Sequence, residues 1–168
     1  MPGRGAYLLL HRAAAGDPVL TPDNDARYDG LKLGNQLCFP LYACSKEIIR
    51  RYTPLLEAMD LTYTQYLVMM VMWEYRERSV KELGERLFLD SGTLTPVIKK
   101  LESKGYLTRR RCAEDERSLI VSVTEEGMAL RERALEVPVR VGQCIRLSPD
   151  EAVQMYTLLY KVLGSLAE

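Results

Sequence analysis

Apolar positions recur at three- and four-residue spacing through most of the chain, which predicts a mainly helical protein. The first stripe is Leu37, Leu41, Cys44, Ile48 and Tyr52, flanked by Lys46, Glu47, Arg50 and Arg51, with Pro54 placed to end or kink the helix. Thr62-Tyr63-Thr64-Gln65 is a capping box that opens an apolar helix from Tyr63 to Tyr75. Ser79-Val80-Lys81-Glu82 is a second box, starting a short helix that ends near Leu87. Asp90 or Ser91 then caps a helix from Gly92 to Lys104, with Gly105 as the residue just past its end and Pro96 in its first turn or at a bend. Two β-like runs follow, Tyr106 to Arg110 and Leu119 to Val123, and the polar segment Arg111 to Ser118 between them predicts a hairpin. Thr124-Glu125-Glu126 opens a helix to about Val137. Ser148-Pro149-Asp150-Glu151 opens the last one, with a stripe of Val153, Tyr156, Leu159, Tyr160, Leu163 and Leu166.

Ahead of these elements, residues 1–30 are rich in Pro, Gly, Asp and Asn and read as a flexible leader without assignable chemistry. The 168 residues, 47% hydrophobic and 27% charged, suit one globular domain with a real core. No apolar run approaches the roughly 18 residues that span a membrane, and Ala6 to Leu10, broken by His11 and Arg12, is a poor signal peptide. Cys38, Cys44, Cys112 and Cys144 form no C-x-x-C pair, and His11 is the only histidine, which argues against a zinc site or any metal. Free thiols in a reducing, cytoplasmic setting are expected, and no cofactor is.

Formal net charge is zero, so an affinity for nucleic acid has to come from local charge segregation. Such a segregation exists. Between positions 99 and 117, Lys99, Lys100, Lys104, Arg109, Arg110, Arg111 and Arg117 face only Glu102, Glu114, Asp115 and Glu116. Helix, short helix, helix, hairpin is the order of a winged helix-turn-helix, and this basic run falls on its last helix and wing. Ser91, Thr93 and Thr95 put short hydroxyls at the start of that helix, where a recognition helix reads the major groove. Arg117, near the hairpin tip, is placed to enter a minor groove. A solvated helix face beside an ordinary charged hairpin is the plainer reading of the same residues.

Asp90-Ser91-Gly92-Thr93-Leu94-Thr95-Pro96, the wing residues Asp115-Glu116-Arg117-Ser118, and Asn35-Gln36-Leu37-Cys38-Phe39 with Leu41-Tyr42 together resemble the MarR family, and within it the organic hydroperoxide-sensing repressors. The likeness runs from about Leu33 to the C-terminus. It implies a winged helix domain over 31–168 that forms a homodimer. The DNA-reading unit would span about 62–123, and the dimerisation helices about 35–58 and 124–166. The partner it implies is a pseudo-palindromic double-stranded operator, contacted by Ser91, Thr93, Thr95, Lys99, Lys100, Arg109, Arg111, Asp115 and Arg117.

Taken alone, Cys38 is a small hydrophobe in an apolar run. The resemblance makes it the oxidant sensor, surrounded by tyrosine hydroxyls from both subunits, for which the matching positions are Tyr42, Tyr52 and Tyr63. Each of these is equally a core or interface aromatic. Phe39, Leu41, Met69 and Met70 would suit a greasy hydroperoxide, although methionine is also ordinary core filler. A sulfenic acid at Cys38 is then capped by a low-molecular-weight thiol or trapped by a second protein thiol, which the resemblance places at Cys144 across the dimer. Cys44 and Cys112 read as structural. Two other functions compete with a non-enzymatic redox repressor. One is a repressor released by a phenolic ligand held near Tyr42 and Met69; the other is a thiol peroxidase turning over at Cys38.

Overall fold

The computed structural model describes residues 26–112 and 118–166. Its chain divides into two units, one ending at Ile49 and the other beginning at Arg50. The first holds two short 3₁₀ turns, Ala26–Leu31 and Leu33–Asn35, and the start of helix α1 (Cys38–Glu57). Lys32 pairs with Asp29 at 2.6 Å, the Asn35 amide donates to the Asp29 carbonyl at 2.7 Å, and Gln36 donates to the Gly30 carbonyl. The 3₁₀ turn Ala26–Leu31 takes in the last residues assigned to the leader from sequence and buries none of them.

The second unit carries the end of α1 and then α2 (Tyr63–Tyr75), β1 (Glu77–Ser79), α3 (Val80–Leu87), α4 (Ser91–Ser103), β2 (Leu107–Arg111), β3 (Leu119–Val123), α5 (Glu125–Ala134), α6 (Glu136–Gly142) and α7 (Pro149–Leu166). This is the expected mainly helical, winged helix-turn-helix architecture. The helix starts follow from local hydrogen bonds. The Thr62 hydroxyl accepts from Gln65 N–H while the Gln65 amide accepts from Thr62 N–H, and the Ser79/Glu82 and Ser148/Glu151 pairs repeat that reciprocity. Helix α4 stops because Gly105, at φ +78°, lets Gly105 and Tyr106 N–H turn back onto the Glu102 and Leu101 carbonyls. Pro54 neither ends nor interrupts α1, which runs on to Glu57. Pro96 lies in the second turn of α4 rather than its first.

Helix α2 is apolar nearly all round because it is the centre of the core. Tyr66, Val68, Met69, Val71, Met72 and Trp73 are all buried there, packed with Leu56, Leu83, Leu94, Ile98, Leu101, Leu107, Val121 and Leu130. The sheet is antiparallel in the order β1-β3-β2, with Arg78 opposite Val121 and Arg109 opposite Val121 on the other side. Strand β1 was not expected: Glu-Arg-Ser has neither alternation nor β-branching, and only pairing with β3 makes it a strand. The long helix expected from Thr124 to Val137 is two pieces, since α5 ends at Ala134 and α6 begins at Glu136.

Trp73 locks α5 onto this core by donating its indole N–H to the Gly127 carbonyl at 2.8 Å. A Cβ at Gly127 would overlap the Tyr106 carbonyl oxygen and press on Val123. Gly127→Ala should therefore cost about 2 kcal/mol or more of stability, read as a lowered urea midpoint. An unchanged midpoint would show that α5 can shift off the sheet freely.

The terminal helix differs from the others. Val153, Tyr156, Leu158, Leu159, Tyr160 and Leu166 are all exposed, and α7 buries no residue. No helix among the described residues is long and apolar enough to cross a membrane.

Candidate functional site

Helix α4 has one greasy face and one polar one. Leu94, Ile98 and Leu101 are buried, while Ser91, Gly92, Thr93, Pro96, Lys99 and Lys100 are exposed and Thr95 is half-buried. Asp90 caps it, accepting from Thr93 N–H at 2.9 Å and from the Thr93 hydroxyl at 2.8 Å; these bonds hold its carboxyl below the usual carboxylate range. The Thr95 hydroxyl donates to the Ser91 carbonyl at 2.6 Å. Both threonine protons are thus committed within the helix. Of the three hydroxyls expected to donate to DNA, only that of Ser91 keeps its proton free among the described residues; Thr93 and Thr95 as placed can accept, as from a base amino group.

The basic run divides in the same way. Lys99, Lys100 and Arg111 are exposed. Lys104 turns away instead, onto the Asp60 carbonyl and the Asp60 carboxylate at 3.0 Å, so it belongs to the packing of α4 against the α1–α2 turn. Arg109 is bound by Glu102 of α4, its Nε donating at 2.8 Å and its Nη2 to the same oxygen. Arg110 meets Glu77 of β1 at 2.9 Å, and Glu77 also accepts from the Ser122 hydroxyl at 2.7 Å. These partners escaped the sequence because they lie 44, 7 and 33 residues away, each on a different element or turn. Asp115 and Arg117 lie outside the described residues.

Hydrogen bonds from Arg109 hold Glu102 below the usual carboxylate range, and those from Ser122 and then Arg110 do the same for Glu77. Both ties are complete above that range and are lost as pH falls through the depressed folded values. The Arg109 Nε–H resonance should accordingly titrate with a midpoint below that of a free glutamate. A midpoint at the free value would show that the pair does not persist in solution.

In the first unit, Cys38 is the first residue of α1 and is exposed, and Tyr42, one turn later, is exposed as well. In the second unit, three tyrosines form a cluster. Tyr52 lies 4.9 Å from Tyr63 and 5.9 Å from Tyr66 between ring centroids, and Tyr66 meets Trp73 edge-on at 6.0 Å. Burial pushes all three phenols up, with neighbouring tyrosines adding to the effect at Tyr63 and Tyr66. Their hydroxyls therefore stay protonated donors at neutral pH. Met69 is fully buried in the core, whereas Met70 is exposed.

Cys144 follows α6 and is exposed, its thiol 3.6 Å from the Arg140 carbonyl. Cys112 is half-buried at the foot of the hairpin, where its N–H donates to the Ser118 carbonyl at 2.8 Å. All four thiols are free. Among the described residues no group of three His, Cys, Asp or Glu side chains is placed to hold a metal.

Residues 50–133 match the family described as transcriptional regulator SarA/Rot. The organic hydroperoxide resistance transcriptional regulator of Bacillus subtilis is 44% identical over 83% of this chain and 95% of its own. The regulator SarZ of Staphylococcus aureus is 49% identical over 71% of this chain and 81% of its own. Among solved structures, AbfR of Staphylococcus epidermidis in its reduced, DNA-bound form superposes with a TM-score of 0.70 at 34% identity, covering 84% of this chain and 99% of that one. The same protein has also been solved overoxidized on DNA and with its disulfide formed, with TM-scores of 0.68 and 0.59.

Proposed function

The chain belongs to the MarR family of transcriptional regulators, in the branch of the organic hydroperoxide resistance regulators, and on that premise we propose that it is a homodimeric repressor that leaves its operator when an organic hydroperoxide oxidises Cys38. The observation that carries this reading is the exposed Cys38 thiol at the head of α1, one turn from Tyr42, in a chain that also bears an outward basic helix and wing. The Phe39 N–H at the head of α1 is taken by the Gln36 carbonyl at 3.3 Å and Pro40 has no N–H, so the donors around the sulfur have to come chiefly from side chains. Tyr42, Tyr52 and Tyr63, drawn from both subunits, supply O–H donors around the sulfur.

In this mechanism the Cys38 thiolate attacks the terminal oxygen of the hydroperoxide. The O–O bond breaks, the alcohol leaves with a proton, and the sulfur becomes a sulfenic acid. The thiol of Cys144 from the partner subunit then attacks that sulfur, forming an intersubunit disulfide and expelling water. A low-molecular-weight thiol does the same chemistry where Cys144 does not reach. The new bond draws on the dimer base formed by α1 and the terminal helices, and the two α4 helices lose the spacing of one DNA turn that a pseudo-palindromic operator requires. Ser91, Lys99, Lys100, Arg111 and Arg117 contact DNA in the reduced state, and Thr93, Thr95 and Asp115 support them. The protein acts in the cytoplasm, and Cys38 is a switch rather than a catalyst.

AbfR has been solved on DNA both reduced and overoxidized, which favours the disulfide, rather than oxidation alone, as the releasing event. Cys144→Ser, treated with cumene hydroperoxide and no added thiol, should stay on DNA while Cys38 gains oxygen by mass spectrometry. Wild type should release DNA and run as a crosslinked dimer on a non-reducing gel. A crosslinked band that persists in Cys144→Ser means that another cysteine resolves Cys38.

A further inference from the structure

Glu102 is an acid in the middle of the surface just assigned to phosphate, at first sight a liability. On that surface Arg109 binds it through two donors to one carboxylate oxygen, and Lys99, three residues earlier on α4, adds a weaker attraction. The pair is about a third exposed or less, with side-chain exposures of 34% and 23%. It joins the last turns of α4 to β2, the strand that leads into the wing. Arg109 sits two residues after Leu107, on the same side of β2, and Leu107 is buried against the core that α4 completes. Its guanidinium is therefore turned toward α4 and away from the outer face of the sheet, while Arg111, two residues further along the same strand, is exposed.

From this placement we propose that Glu102 is a positioning residue for operator recognition, holding Arg109 as a strut that fixes the wing relative to the recognition helix. Arg109 is then not a phosphate ligand. The proposal rests on the DNA-reading role assigned to α4 and the wing. Its physical content is a trade. A carboxylate beside DNA weakens attraction to every duplex alike, since it opposes the phosphates. Fixing helix and wing together helps only where both must fit adjacent grooves at once, that is, at the specific site. Positioning and bare electrostatics therefore predict opposite signs for removing the charge.

The test uses the full-length reduced dimer and two probes: a duplex selected by the wild-type protein from a random pool, and a random-sequence duplex. Glu102→Gln should lose about five- to tenfold in affinity for the selected duplex, as expected for two such pairs per dimer, and should bind the random duplex as well as wild type or better. Glu102→Arg combined with Arg109→Glu keeps net charge and should restore most of the selected-duplex affinity, with the salt dependence of binding unchanged. Urea midpoints near wild type confirm that the variants fold. Tighter binding of Glu102→Gln to both probes, or a swap that lowers the salt slope by about one per protomer, would overturn the strut and make Arg109 a phosphate contact. If the wild type selects no duplex at all, the DNA-reading role falls, and the strut with it.

Discussion

Cys38→Ser should bind its operator within about twofold of wild type, as an exposed single-atom change does, and should not release it at any hydroperoxide concentration that leaves other residues intact. Cys38 is exposed at the start of α1, so no core packing depends on its sulfur. Serine keeps the size and a hydroxyl but has no thiolate to attack an O–O bond. The expected loss is the whole response, not a fraction of it, because Cys44, Cys112 and Cys144 lack the Tyr42 setting. Operator binding before and after cumene hydroperoxide measures both halves. The phenolic-ligand alternative predicts a serine variant that is still inducible by its ligand. The peroxidase alternative predicts many peroxide equivalents consumed per wild-type thiol in the presence of reductant, where the switch consumes about one per cycle.

Most of the helical frame was legible because it is written locally. Thr62 with Gln65, Ser79 with Glu82, Asp90 with Thr93, and Ser148 with Glu151 each settle a helix start within four residues, and Gly105 settles an end. What escaped was set by distant pairing. Strand β1 exists because β3 passes beside it, while the break at Leu135 was there to be read in Pro138, which cannot donate to the Ala134 carbonyl four residues back. The same division runs through the candidate site. A count of positive charge singled out one surface, yet it could not see that Lys104, Arg109 and Arg110 are held by Asp60, Glu102 and Glu77. The tyrosines were legible as residue types. That Tyr52, Tyr63 and Tyr66 cluster, and that Met69 is core, required the packing of α1 and α2.

Tyr156→Asp with Leu159→Asp should convert the dimer to monomers at micromolar concentration and weaken operator binding about a hundredfold or more, through loss of the linked second half-site. These residues lie on the stripe read from sequence, on a helix none of whose residues is fully buried against its own chain. A face this apolar and this long needs a cover. Four unpaired carboxylates per dimer in such a cover cost several kcal/mol in total. The variant should keep its fold, since α7 contributes no buried residue to the core. Light scattering together with circular dichroism separates the cases. A folded dimer in the variant would mean that α7 is not the dimer base.

The most direct test of the redox switch is a titration of the reduced, operator-bound wild-type dimer with cumene hydroperoxide, following DNA release by fluorescence anisotropy and Cys38 by mass spectrometry. Release should rise in step with oxidation of Cys38, be complete near one equivalent per subunit, and reverse when dithiothreitol reduces the disulfide. DNA that stays bound while Cys38 is fully converted to the disulfide, or DNA that leaves while Cys38 remains a thiol, would contradict the account.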